Sequence, residues 1–241
     1  MAYSKWYITG DVHGIFNRFQ RLQKKKNIAV IILGDSGVNW TFDEYDSNFK
    51  KSIGIKYPNI TFYLVRGNHD GRPQNIHNIK VIYDKEVDGD IYIEPEFPYI
   101  RYFIDGNDYW IAGYKILVIG GAYSVDKDYR LSTGRVWHKD EQLTAEEMQE
   151  ISKSVYKQDY DIVLTHTCPS SFIPVDLFLS GIDQSKVDKT MEYWLEDISK
   201  TFHWKYWIFG HYHADRFQAP NVQIMYWDIK PLDEILRRID T

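Results

Sequence analysis

The chain has 241 residues, 44% hydrophobic and 26% charged, the balance of a folded globular protein rather than a disordered or fibrous one. No apolar run approaches the roughly 18 residues of a membrane-spanning helix, and residues 1–10 lack the apolar stretch of a secretory signal. One cysteine, Cys168, excludes an internal disulfide framework and fits a reducing, cytoplasmic setting, while a net charge of −5 argues against an extended nucleic-acid surface.

Short continuous runs of β-branched and aromatic residues at 6–8, 28–33, 60–65, 115–119, 162–164 and 206–209 predict strands covered on both faces. Alternating segments at 98–104, 109–112 and 222–227 predict further strands with one face less covered. Helical spacing lies between them. Phe16, Phe19 and Leu22 share a face and are followed by Lys24, Lys25 and Lys26, which suit a helix C-terminus. Phe42, Tyr45, Phe49 and Ile53 form a second stripe. Thr144 with Glu147 makes a capping-box pattern ahead of Met148, Ile151 and Val155. Val187, Met191, Trp194, Ile198 and Phe202 form the longest stripe. The acidic stretch 84–108 reads as an irregular hairpin or excursion near the site. Strands alternating with helices predict an α/β fold. No repeat and no linker-like segment divides the chain, so 1–241 reads as a single domain.

Five of the predicted buried strands end in short polar loops: Gly10-Asp11-Val12-His13-Gly14, Gly34-Asp35-Ser36-Gly37, Arg66-Gly67-Asn68-His69-Asp70, Thr165-His166-Thr167 and Gly210-His211-Tyr212-His213. In α/β sheets, ligands bind beyond the carboxyl ends of strands, so these loops would bring Asp, Asn and His into one pocket. Each block alone has an ordinary reading as a turn or a hydrogen-bonded strand end. The set in this order, each member after a strand, points to a shared site. Carboxylate, amide oxygen and imidazole together suit borderline divalent ions such as Mn, Fe, Co or Zn better than Ca. Three or four protein ligands per ion leave room for water, the mark of a catalytic site. The histidines outside these loops, His77, His138 and His203, read as surface or ordinary hydrogen-bonded residues.

The five blocks together resemble the calcineurin-like metallophosphoesterase superfamily. The resemblance implies a four-layer α/β/β/α sandwich holding two divalent transition-metal ions, Mn²⁺ foremost, with Fe, Zn, Co or Ni as alternatives. It places Asp11, His13 and His213 on one ion, Asn68, His166 and His211 on the other, and Asp35 between them. His69 would lie just outside the ligands and help stabilise or protonate the leaving oxygen. Two ions about 3.5–4 Å apart can hold a bridging hydroxide and clamp phosphoryl oxygens for in-line attack. The expected substrate is a phosphorylated small molecule, a phosphomonoester or a nucleotide, with no membrane partner.

One departure bears on the branch. Protein phosphatases of this superfamily follow the bridging Asp with a further Asp-Arg-Gly, whose Asp pairs with the catalytic His and whose Arg grips phosphate. Here Asp35 is followed by Ser36-Gly37-Val38. The close His211-x-His213 pair is more like the diesterase and general branch. A replacement grip is sought in the loop Gly120-Gly121-Ala122-Tyr123-Ser124-Val125-Asp126 and the arginines after it, which makes Tyr123, Arg130 and Arg135 candidate substrate contacts. The alternatives are a phosphodiesterase or nuclease, a protein phosphatase-like enzyme, and a non-catalytic binding protein on the same scaffold. Cys168 has no phosphate loop with Arg behind it and reads as a packing residue.

Overall fold

A computed structural model describes residues 3–178 and 183–237. In chain order the elements are β1 (Lys5–Thr9), β2 (Ile28–Leu33), α1 (Glu44–Lys56), β3 (Ile60–Val65), β4 (Lys80–Asp84), β5 (Gly89–Ile93), β6 (Ile100–Phe103), β7 (Asp108–Ile111), β8 (Tyr114–Ile119), α2 (Lys127–Thr133), α3 (Ala145–Val155), β9 (Asp159–Thr165), α4 (Thr190–Ile198), β10 (His203–Phe209), β11 (Arg216–Ala219), β12 (Val222–Ile224), β13 (Lys230–Pro231) and α5 (Leu232–Leu236). Among the described residues no helix is long and apolar enough to cross a membrane.

The strands form two mixed sheets, ordered β13-β1-β2-β3-β6-β5-β4 and β11-β12-β10-β9-β8-β7. In the first sheet β1, β2, β3 and β6 run parallel; in the second, β8, β9, β10 and β12 do. Successive side chains on a strand point to opposite faces, and here both faces are dry. Along β2, Ala29, Ile31 and Leu33 enter the core between the sheets, while Ile28, Val30 and Ile32 face outward onto Phe16, Phe19 and Ile53. Along β8 and β10, Ile116, Val118, Tyr206 and Ile208 face the inter-sheet core; Leu117, Ile119, Trp207 and Phe209 meet Met148, Ile151, Met191 and Leu195 of α3 and α4. The result is the four-layer α/β/β/α sandwich. Double-sided burial is the reason these strands read as continuous apolar runs.

Several local expectations change. Segment 16–22 is a 3-10 helix, for which a strict spacing of three is the natural period. In α1 the face turned inward carries Asp46, Lys50 and Ile53, whereas Tyr45 is exposed and Phe42 lies before the Asp43 cap. Buried charges are tolerated there because Lys50 Nζ meets Glu94 at 2.7 Å, and the Asp46 carboxylate accepts the Thr41 and Phe42 amides at 2.9 and 2.7 Å. The acidic segment 84–108, read as an irregular hairpin, is regular: β5 pairs antiparallel with β4 as a hairpin, and β6, expected at 98–104, pairs antiparallel with β5. The hydrophobic face of β5, Ile91 and Ile93, is buried while Asp90 faces out. Strand β12 ends at Ile224: the Met225 amide still reaches the Phe209 carbonyl at 2.8 Å, but the amides of Tyr226 and Trp227 turn away to the Asp215 carboxylate at 2.8 and 2.9 Å. Helix α4 is shorter than its stripe: the Thr201 amide turns back to the Ile198 carbonyl at 2.8 Å and redirects the chain into β10. The capping box at Thr144 and Glu147 forms in both directions.

Candidate metal centre

The ends of β1, β2 and β3 in one sheet and of β9 and β10 in the other meet at one rim of the sandwich. The loops there turn sharply. His13, Asp35, His211 and His213 all sit in the left-handed region, with φ of 46°, 46°, 64° and 50°. Such a conformation costs a non-glycine residue about 1–3 kcal/mol and gathers at functional sites. Two neighbouring glycines leave space that no side chain could share. A Cβ on Gly34, where φ is +95°, would lie 2.1 Å from His166 Nδ1, and one on Gly67 would lie 2.0 Å from Asp35 Oδ1.

Two donor groups share this rim. In the first, Asp11 Oδ2 lies 3.2 Å from His213 Nε2 and 3.8 Å from His13 Nε2; the two imidazole nitrogens face each other at 2.9 Å. In the second, Asn68 Oδ1 lies 2.8 Å from His166 Nε2 and 3.1 Å from His211 Nδ1. Asp35 reaches toward both, with one oxygen 3.9 Å from His13 Nδ1 and the other 3.6 Å from His166 Nε2. The donor atoms of Asp11, His13 and His213 lie within 4.8 Å of one another, as do those of Asp11, Asp35 and His166. All seven residues expected to hold metal are therefore brought together.

The site fits a cation better than it fits its own polar groups. Asp11 Oδ2 is fully buried and makes no aligned hydrogen bond, despite its closeness to His213. Such an oxygen needs a positive partner. His166 Nδ1 sits 2.7 Å from the Leu33 carbonyl. A carbonyl only accepts, so Nδ1 carries the proton and Nε2 presents its lone pair to the centre. The electrostatics agree. Burial alone would raise the Asp11 carboxyl, but the imidazoles of His213, His166 and His13 outweigh it and hold it below its ordinary range. Burial pushes Asp35 up to about 6, opposed by His166 and reinforced by Asp11 and Asp70. Burial, with His166 beside it, keeps His211 neutral, the form that ligates.

Residues 5–215 match the calcineurin-like phosphoesterase family. The chain belongs to this family. No curated protein sequence matches it. Among solved structures it is similar to the phosphopantetheinyl hydrolase PptH from Mycobacterium tuberculosis, at 14% identity and a TM-score of 0.42, with 92% of this chain and 88% of that one covered.

Other residues of this phosphoesterase fall into place around the centre. The His69 amide donates to Asp35 Oδ1 at 2.8 Å, and its Nε2 lies 3.8 Å from Asp35 Oδ2. Burial and the Arg130 guanidinium push this imidazole down to about 4. Arg130 Nη2 approaches His69 Nε2 at 3.4 Å while its Nε donates to Asp126 at 2.8 Å. Asp126 and Arg130 thus stand near the histidine, although Ser36 and Gly37 follow Asp35. Tyr123 lines the adjoining cavity. Arg135 is not brought to the site: the left-handed turn at Gly134 carries it outward, where it stacks on Tyr129 at 5.1 Å. Asp70 is a loop organiser, accepting the Ser36 amide and hydroxyl and the Gly37 amide at 3.0 Å each. Cys168 is fully buried, and burial pushes its thiol well up, which leaves it unreactive. His77 and His203 are exposed, and His138 is half-buried against Phe42. A second cavity, of about 620 Å³, opens beside α1 on the Lys50–Glu94 ion pair; His77 lines it, and none of the strand-end histidines does.

Sequence reasoning placed Ser124 in a candidate phosphate-gripping loop but missed its bond to Asn68 and the part played by Glu141. The Asn68 Nδ2 donates to Ser124 Oγ at 2.8 Å, the Ser124 hydroxyl donates to Glu141, and Glu141 also accepts the Ser124 amide at 3.0 Å and Trp137 Nε1 at 2.8 Å. Ser124 and Glu141 are buried. This relay fixes which way the Asn68 amide faces, so that Oδ1 and not Nδ2 looks at His166 and His211. Ser124 follows β8 by the same strand-end rule as the other loops and was within reach of it; Glu141 carries no sequence signal. Ser124→Ala is expected to weaken metal binding roughly 10- to 100-fold, the range for residues that orient a ligand from behind. Titration of the metal-free variant with Mn²⁺ against the wild type checks this, and equal affinity would remove the relay from the site.

Proposed function

We propose that this chain is a two-metal phosphoesterase that hydrolyses phosphate esters. One divalent transition ion would be held by Asp11, His13 and His213, the other by Asn68, His166 and His211, with Asp35 shared between them. Mn²⁺ suits this mixture of carboxylate, amide and imidazole donors, as do Fe, Zn, Co and Ni. The observation that carries the reading is the fully buried Asp11 Oδ2, which makes no aligned hydrogen bond although His213 Nε2 lies 3.2 Å and His13 Nε2 3.8 Å away. When bound, such ions supply a water whose pKa falls toward ~7 and positive charge facing the phosphoryl oxygens. The chain's own residues do the rest. Glycine-bordered loops let phosphate approach the backbone. Arg130, held by Asp126 and packed over Trp40 at 5.5 Å, offers a planar donor beside His69. His69 faces the leaving oxygen; a phosphoryl dianion drawn against it raises the imidazole, which then delivers its proton there. Because the ligands come from both sheets, residues 1–241 act as one domain. The buried lone thiol suits a reducing, cytoplasmic setting.

The substrate is a small phosphomonoester or nucleotide, and the test compares p-nitrophenyl phosphate with bis-p-nitrophenyl phosphate. Protein stripped by chelation is expected to be inactive, to regain turnover with Mn²⁺ and to favour the monoester. Faster turnover of the diester would make it a phosphodiesterase. No turnover of either ester, with no transition metal bound after Mn²⁺ addition, would mark the chain as a binding protein on this scaffold.

A further inference from the structure

We propose that the cavity beside the metal centre receives the organic group of the ester, and that Glu192 selects groups bearing a hydroxyl or amide N–H. The inference rests on the phosphoesterase reading and names its substrate class. The cavity has a volume of about 540 Å³, the size that takes a small-molecule ligand. Asp35, His69 and His211 form its floor at the metal centre; Ile173, Leu177 and Val187 form an apolar wall above. Floor and wall belong to one cavity, and His69 lies on this side of the centre, so an ester with its phosphoryl group at the ions and its leaving oxygen at His69 has that wall to run its organic part along. Lys189 is the lone cation among the described lining residues, which suits a carbon-rich body better than a polyphosphate or a nucleic-acid backbone.

Glu192 gives this wall its polar selectivity. The residue lines the cavity and is only 4% exposed. Its Oε1 accepts the Thr167 hydroxyl at 2.6 Å, while Oε2 is buried and makes no hydrogen bond. A buried carboxylate oxygen without a donor is costly, and burial accordingly pushes this carboxyl upward. The terminal torsion of a glutamate is soft, so Oε2 can turn toward the cavity that the residue lines. A hydroxyl or amide N–H on the ester would complete it.

The test uses three monoesters with the Mn²⁺-loaded protein: methyl phosphate, heptyl phosphate and 6-hydroxyhexyl phosphate, the last two matched in length. Heptyl phosphate is expected to exceed methyl phosphate in kcat/KM by at least ~10-fold, an advantage that Ile173→Ala reduces, because each methylene in an apolar pocket is worth roughly ten-fold or more. The hydroxyl ester is expected to exceed the heptyl ester by a further ~10-fold or more, since a buried polar group discriminates against a partner that cannot pair with it. Glu192→Gln keeps the shape but replaces the charged acceptor with an amide N–H, toward which the substrate hydroxyl can only accept; exchanging a charge-assisted bond for a neutral one should lower this second ratio several-fold. Ratios within one enzyme do not depend on how much of it carries metal. Equal rates for methyl and heptyl phosphate, or a hydroxyl preference untouched by Glu192→Gln, would overturn the inference while p-nitrophenyl phosphate turnover still supports the enzyme. Silence toward all four esters would overturn both.

Discussion

Asp35→Asn is expected to strip metal from both positions and to lower turnover by roughly two to four orders of magnitude, because each ion contributes several kcal/mol of charge stabilisation and each 1.36 kcal/mol is a factor of ten. The carboxylate stands between the two donor groups, 3.9 Å from His13 and 3.6 Å from His166. A neutral amide there removes one of the two negative charges that offset the ions. The same change should act in the opposite direction on the metal-free protein. Burial raises the Asp35 carboxyl from 3.8 to about 6. A carboxyl whose folded value lies above its unfolded value costs nothing at low pH, and its cost grows as pH rises from about 4 through about 6. At neutral pH that cost is on the order of 3 kcal/mol. Chelated wild-type protein should therefore lose stability across this window in a way that the chelated Asn variant does not, while Mn²⁺ should reverse their order. Thermal melts at several pH values, with chelator and with Mn²⁺, and metal content by elemental analysis check both halves. An Asn variant that still holds two ions and works at the wild-type rate would end the shared-ligand assignment.

His69→Ala is expected to keep its metal and lose roughly 10²- to 10⁴-fold in turnover, the usual contribution of a positioned proton donor. The ligand geometry should survive, since the contact that ties this residue to Asp35 is its backbone amide, at 2.8 Å; alanine retains it. The side chain contributes elsewhere, next to Arg130 and above the site. Its loss should matter most when the leaving oxygen is basic. Alkyl phosphates should suffer near the upper end of that range and p-nitrophenyl phosphate, whose leaving group needs little help, near the lower end. Metal loss in parallel with activity, or an equal penalty on both kinds of ester, would move His69 from proton delivery to metal binding.

Much of this protein is written locally along its chain. The apolar runs at 28–33 and 60–65 coincide with β2 and β3 residue for residue, because strands dry on both faces carry little polarity, Thr61 alone in these two, to blur their limits. The Thr144 capping box and the strand-end blocks carrying Asp11, Asp35, Asn68, His166 and His211 are legible for the same reason: each depends on neighbours a few residues away. The tertiary structure decided what depends on distant partners. It fixed the Asn68 amide through Ser124 and Glu141 and set Glu192 into the wall of a cavity. It placed Arg130 beside His69 while turning Arg135 out to solvent. It put Lys50, not an apolar residue, on the inner face of α1, because Glu94 waits there with the opposite charge. A hydrophobic pattern records how much of a segment leaves water. It holds no record of which polar group, a hundred residues away, will stand opposite a buried one, and at this rim those pairings set the chemistry.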